Sequence, residues 1–122
     1  MTGTITAQLT TAVVNGTFRD DANAGPVSIT QTVVGGGNPG TITIATSEAD
    51  IALGLTTPGW CIIENLDGTN YFELGPKSAG AMVPFLKLKP GEFAAFRVAA
   101  SVTFRAKANT ASVKARIRAY ED

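Results

Sequence analysis

Apolar and polar residues alternate with a period of two along most of this chain, which is the spacing of half-buried β-strands. In residues 27–34, Val27, Ile29, Gln31 and Val33 fall on one face and Ser28, Thr30, Thr32 and Val34 on the other. Residues 41–46 alternate again and place Ile42 and Ile44 together. Residues 103–108 set Phe104, Ala106 and Ala108 against Arg105 and Lys107. Residues 112–120 set Val113, Ala115, Ile117 and Ala119 against Lys114, Arg116, Arg118 and Tyr120. Residues 4–14, rich in threonine and β-branched side chains, predict a strand or an extended arm that becomes a strand on a neighbour. Residues 59–66 are mostly apolar, with Trp60, Ile62 and Leu66 opposed to Cys61 and Ile63. They predict a central strand buried on both sides.

Turn chemistry separates these segments. Asn15-Gly16 marks a turn, and Asp20-Asp21-Ala22-Asn23-Ala24-Gly25-Pro26 reads as a loop by composition. The stretch from Gly35 to Gly40 suggests a flexible hairpin connection. Residues 47–55 suit one helical turn or a loop. Asp67-Gly68-Thr69-Asn70 predicts a hairpin returning through residues 71–74. Residues 75–80 read as a loop, and Pro84 interrupts a strand over 82–88. Pro90-Gly91 fits the centre of a type II turn leading to a partner strand over 92–98. Ala108-Asn109-Thr110-Ala111 turns the chain before the last strand. Eight or nine short strands at roughly ten-residue spacing, without a helix, predict an all-β, antiparallel β-sandwich of jelly-roll-like form. The expected organisation is a single sandwich domain over 1–122, with residues 1–25 as a strand or arm.

Composition narrows the chemistry. A chain of 122 residues has room for one core. It contains no histidine, so the commonest general base and metal ligand are both missing. Its one cysteine, Cys61, excludes an intrachain disulfide and reads as a small core residue between Trp60 and Ile62. Asp20-Asp21 with Asn23 lacks the spacing and closing glutamate of a calcium loop. Gly35-Gly36-Gly37 lacks the lysine and following helix of a phosphate loop. Glu64 and Glu73 flank the predicted 67–70 hairpin and read as surface residues rather than as a glycosidase pair. The apolar runs fall short of the ~20 residues of a membrane helix, and the N-terminus does not resemble a signal peptide. The expectation is a cytosolic product without enzymatic activity, cofactor, metal or membrane association.

Charge is balanced overall but unevenly placed. Residues 1–73 hold one cation against seven carboxylates, and residues 74–122 hold nine against three. Only 16% of residues are charged, below the usual ~25%, as suits either a surface that partners cover or a plain β-sandwich. If the last two strands pair through the Ala108–Ala111 turn, Arg105, Lys107, Lys114, Arg116 and Arg118 share one sheet face beside Tyr120. That stripe reads as an internally paired face, a protein-docking surface or, least favoured, a nucleic-acid surface, since Tyr120 alone offers stacking. The alanines at 106, 108, 111, 115 and 119 suggest close packing against another sheet or subunit. On the arm, Ile5, Leu9 and Val13 are the candidate contacts.

The region 59–122 resembles small virion accessory proteins of tailed bacteriophages. The resemblance lies in Asn65-Leu66-Asp67-Gly68-Thr69-Asn70-Tyr71 followed by Leu74-Gly75, in Pro84-Phe85-Leu86-Lys87-Leu88-Lys89-Pro90-Gly91-Glu92, and in Phe104-Arg105-Ala106-Lys107-Ala108-Asn109-Thr110-Ala111 with its final strand. It implies a β-sandwich without catalysis, assembled as an oligomer, a trimer before others. The corresponding role is a capsid cement or decoration protein that binds the major capsid protein in a virion assembled in the host cytoplasm. A tail or head-fibre component is the first alternative. A carbohydrate-binding module using Trp60, Tyr71, Phe72 and Tyr120 is the second.

Overall fold

The computed structural model describes residues 3–122. The chain divides into two compact units, one ending at Val34 and the other spanning Gly35–Asp122.

The first unit is one long antiparallel hairpin of β1 (Gly3–Asn15) and β2 (Phe18–Gln31). Gly16 opens its two-residue turn with φ +59°, the conformation for which glycine is favoured at the first central position of a type II′ turn. The composition of residues 20–26 suggested a loop, but all of them lie within β2. Asp20, Asp21, Ala22, Asn23 and Ala24 pair in register with Val13, Ala12, Thr11, Thr10 and Leu9. Cross-strand pairing has overridden local propensity there. What remains of the loop signal is a bulge beside Gly25-Pro26, where the register shifts between Ala7 and Leu9.

The second unit is an antiparallel β-sandwich. One sheet runs β3 (Gly36–Ile44), β11 (Val113–Glu121), β5 (Pro58–Asn65), β9 (Phe93–Arg97). The other runs β4 (Ala49–Ile51), β10 (Phe104–Ala108), β6 (Phe72–Ser78), β7 (Ala81–Met82), with β8 (Leu86–Leu88) also paired to β6. The all-β expectation holds. Among the described residues the strands number eleven rather than eight or nine, because residues 47–55 contribute the short edge strand β4 and Pro84 splits its segment into β7 and β8.

The core lies between the sheets. Ile44, Cys61, Ile63, Val113, Ile117 and Ala119 meet Phe72, Leu74, Leu88, Ala106 and Ala108. Ala106, Ala108, Ala115 and Ala119 are buried, so small side chains let the sheets approach, whereas Ala111 is exposed. Burying Phe72 and Ile117 completely removes roughly 1.5–3 kcal/mol of apolar exposure each. Phe96 and Phe104 close one end of the core edge to face, with ring centroids 5.9 Å apart.

Three predicted pairings are replaced by crossings between sheets. The Asp67–Asn70 turn connects β5 in one sheet to β6 in the other. The Pro90-Gly91 turn forms, with the Glu92 amide donating to Lys89 O at 3.0 Å and Gly91 at φ +79°. Yet β8 pairs with β6 while β9 pairs with β5. The 108–111 turn likewise passes from β10 to β11 across the sandwich. Turn chemistry reverses a chain locally but does not choose the strand beside which it lands.

Candidate docking surfaces

The hairpin is amphipathic. Residues directly opposite one another share a face, so Ile5 with Ile29, Ala7 with Val27, Leu9 with Ala24, Thr11 with Ala22, and Val13 with Asp20 line one side, ending at Phe18. The other side carries Thr4, Thr30, Thr6, Ser28, Thr10 and Asn23, then Ala12 opposite Asp21 and the exposed Val14 opposite Arg19. The three arm positions Ile5, Leu9 and Val13 therefore fall together on the apolar face. Leu9, Val13, Phe18 and Val27 remain 45%, 42%, 59% and 50% exposed. A two-stranded sheet is marginal in water on its own, so an apolar face of this length needs cover.

The predicted cationic stripe is divided. Arg105 and Lys107 stand on β10, while Lys114, Arg116, Arg118 and Tyr120 stand on β11, in the opposite sheet. The Asn109 turn that was to join them crosses the core edge instead. On the β10 side the charges are balanced locally. Arg105 donates to Glu48 Oε1 at 2.8 Å and Asp50 Oδ1 at 2.6 Å, and Lys77 reaches Asp50 Oδ2 at 3.4 Å. The Arg105 guanidinium holds both carboxyls below their usual range. Lys107 and Lys87 flank Glu73 in register. This is an internally paired, solvated face.

The β11 side is different. Arg116 reaches Glu64 at 3.7 Å. Lys114 and Arg118 meet no carboxylate among the described residues; Arg118 lies between Pro39 and Ile62. Trp60 and Ile62 are on this outer face and half-buried, because alternate residues of β5, Gly59, Cys61, Ile63 and Asn65, turn inward, so the strand is buried on one side rather than on both. The neighbouring β9 adds Phe93, 61% exposed and opposite Glu64. Cations mixed with aromatic and aliphatic groups suit a protein interface better than a phosphate backbone. Phe93 carried no sequence signal beyond its alternation with Ala94.

Elsewhere the sandwich holds an apolar cleft of about 400 Å³, lined by Leu74, Val83, Phe85, Phe96, Val102 and Phe104. Arg97, its one charged lining residue, donates to Asp122 at 2.8 Å. Glu64 and Glu73 project from opposite outer faces of the sandwich rather than flanking one hairpin. Cys61 is buried, and burial pushes its thiol up to about 11. Asp20 and Asp21 alternate sides along β2, and no cluster of three or more metal-ligating side chains occurs among the described residues. Of the aromatics considered for glycan stacking, Phe72 is in the core, and Lys87 Nζ covers the Tyr71 ring at 4.1 Å from its centroid. Among the described residues no helix is long and apolar enough to cross a membrane.

Two polar residues without a sequence signal organise the sandwich. Asn65 is buried and donates through Nδ2 to Asn70 O at 3.0 Å and Leu88 O at 2.9 Å, while its Oδ1 accepts from the Asp67 amide at 2.8 Å. It ties the 67–70 crossing to the end of β8. Glu121 is buried with its carboxylate accepting the Thr56 and Thr57 amides at 2.9 and 2.8 Å. Those two backbone donors hold its carboxyl below the usual glutamate range.

Comparison with known proteins finds no matching family model, no matching curated protein and no matching solved structure.

Proposed function

We propose that this chain is a non-enzymatic structural protein of a bacteriophage virion, which binds the assembled capsid as a cement or decoration protein. The observation that carries the reading is the hairpin: a mainly apolar face over two strands, interrupted by Thr11 and Asp20 and exposed in the single chain. The phage setting comes from the resemblance of residues 59–122 to tailed-phage accessory proteins. The major capsid protein is the partner, and the working form is an oligomer.

Magnitudes indicate how such binding must be divided. Leu9, Val13, Phe18 and Val27 are about half exposed, so covering them contributes roughly 3–6 kcal/mol. Association costs an estimated ~4–15 kcal/mol. The hairpin alone does not hold a copy on a shell. The outer face of β11, β5 and β9, with Arg118, Arg116, Trp60 and Phe93, supplies the second contact. Binding that exists only on the assembled shell stabilises that shell over dispersed subunits by linkage.

The test is co-sedimentation of the purified chain with particles that lack it. The wild-type chain pellets with particles. The double variant Phe18→Asp/Val27→Asp, altered on the face of β2, stays in the supernatant while its sandwich melts normally. Equal pelleting of both chains would remove the hairpin from the account. No pelleting of the wild type would remove the capsid.

A further inference from the structure

We propose that β1 is a self-pairing edge, which joins a second copy of this chain antiparallel about a two-fold axis at Leu9. The inference is independent of the virion reading, because it concerns the chain in the absence of any other protein.

The observation is a contrast among strand edges. An unpaired edge offers free N–H and C=O groups to any passing strand, and proteins ordinarily blunt it with charge, proline or short length. Among the described residues every other outer strand is blunted. β2 carries Arg19, Asp20, Asp21 and Pro26. β3 contains Pro39 and three glycines. β4, β7 and β8 span only two or three residues each, and the five-residue β9 ends on Arg97. β1 alone runs thirteen residues, GTITAQLTTAVVN, with neither a charge nor a proline. It pairs on one side only, with β2. The bulge beside Gly25-Pro26 belongs to that inner side, so the alternation of β1 itself is uninterrupted.

The pattern of β1 identifies the occupant. Reversed about Leu9, the strand matches itself: Ile5 falls opposite the second copy's Val13, Ala7 opposite Thr11, and Leu9 opposite Leu9. All of these lie on the apolar face. On the polar face Thr4 meets Val14, Thr6 meets Ala12 and Gln8 meets Thr10. No like charges oppose each other, which is the usual obstacle to pairing a strand with its own copy. A slip of one residue would send every apolar side chain to the wrong face. Two-fold symmetry makes one such contact serve both copies and closes it at two. The product is a four-stranded sheet in the order β2-β1-β1-β2, beyond the two strands that are marginal alone. Its joined apolar face is twice as wide. A two-fold pair also differs from the trimer that the phage resemblance implies.

The experiment has two arms. Light scattering coupled to size exclusion on the full chain should return twice the 12.6 kDa chain mass. A Leu9→Lys variant, which puts two cations at the axis, should return the single-chain mass. The second arm reads the register. A two-fold at Leu9 brings the two Cα atoms of that position within disulfide reach of about 4.4–6.8 Å, whereas the two copies of position 13 stand about eight residues, or ~26 Å, apart. Mild oxidation should therefore convert Leu9→Cys to a crosslinked pair and leave Val13→Cys uncrosslinked. Mixing Ile5→Cys with Val13→Cys should yield the heterologous crosslink. A single-chain or triple mass for the wild type overturns the proposal. So does equal crosslinking of the position 9 and position 13 variants.

Discussion

Replacing Asn65 by alanine removes three hydrogen bonds from a buried site at once. Two backbone carbonyls, Asn70 O and Leu88 O, lose their donor, and the Asp67 amide loses its acceptor. Each such bond contributes a net ~0.5–1.5 kcal/mol, and groups left dry and unpaired push the cost toward the upper end. The expected loss is about 3–4 kcal/mol. For a domain of under about 100 residues each kcal/mol moves Tm by roughly 4–8 °C, so the sandwich should melt roughly 12–30 °C lower. Trp60 lies in the same strand, so its fluorescence reports the transition directly in urea or on heating. Thr69→Ala, in the exposed part of the same turn, serves as the control and should stay within ~0.5 kcal/mol of wild type. Asn65→Asp should be no better than alanine at neutral pH, because a carboxylate faces two carbonyl oxygens. If Asn65→Ala melts like Thr69→Ala, the two crossings are held by their own turns and Asn65 is not their tie.

Other consequences can be measured together. Glu121, Glu48, Asp50 and Asp67 all have carboxyls held below their usual range by the donors around them. A depressed folded-state value contributes stability above the unfolded value, and that stability is lost as pH falls through the folded value. Urea midpoints should hold steady from neutral pH down to the ordinary carboxylate range and drop below it; Glu121→Gln should flatten part of that drop. Cys61 should resist thiol reagents at pH 8 in the folded chain and react once urea unfolds it. Rapid labelling of the native protein would contradict a buried thiol raised to about 11. Gly75→Ala should cost about 2 kcal/mol by thermal melting, since a Cβ there would overlap the Val83 carbonyl where residues 83–85 run beside β6, hydrogen-bonded to Pro76 and Leu74.

Much of the fold was legible in residue order because strand alternation and turn residues are local. Ile42 with Ile44 and the inward faces of β10 and β11 follow from period two, and Gly16 and Gly91 occupy the turns their residue types suggest. Strand neighbours were not legible. Asp67-Gly68 and Pro90-Gly91 reverse the chain in either case, and only packing of Phe72 and Leu88 against the opposite sheet sends β6 and β8 across. For that reason Arg105 and Arg116 separate, and one half of the expected stripe becomes a paired, solvated face. Asp20 to Pro26 looked like a loop because β2 is held by long-range partners in β1. Asn65 gave no sign, since its role depends on Leu88 O, 23 residues away.

The central claim is that this chain is a structural part of a virion, and particle composition tests it most directly. Quantitative mass spectrometry of gradient-purified particles from the source of this sequence should find the chain at a fixed ratio to the major capsid protein. Copies on the order of hundreds per particle fit a shell-covering protein, and tens would move it to the tail. Particles that carry none of it would contradict the account.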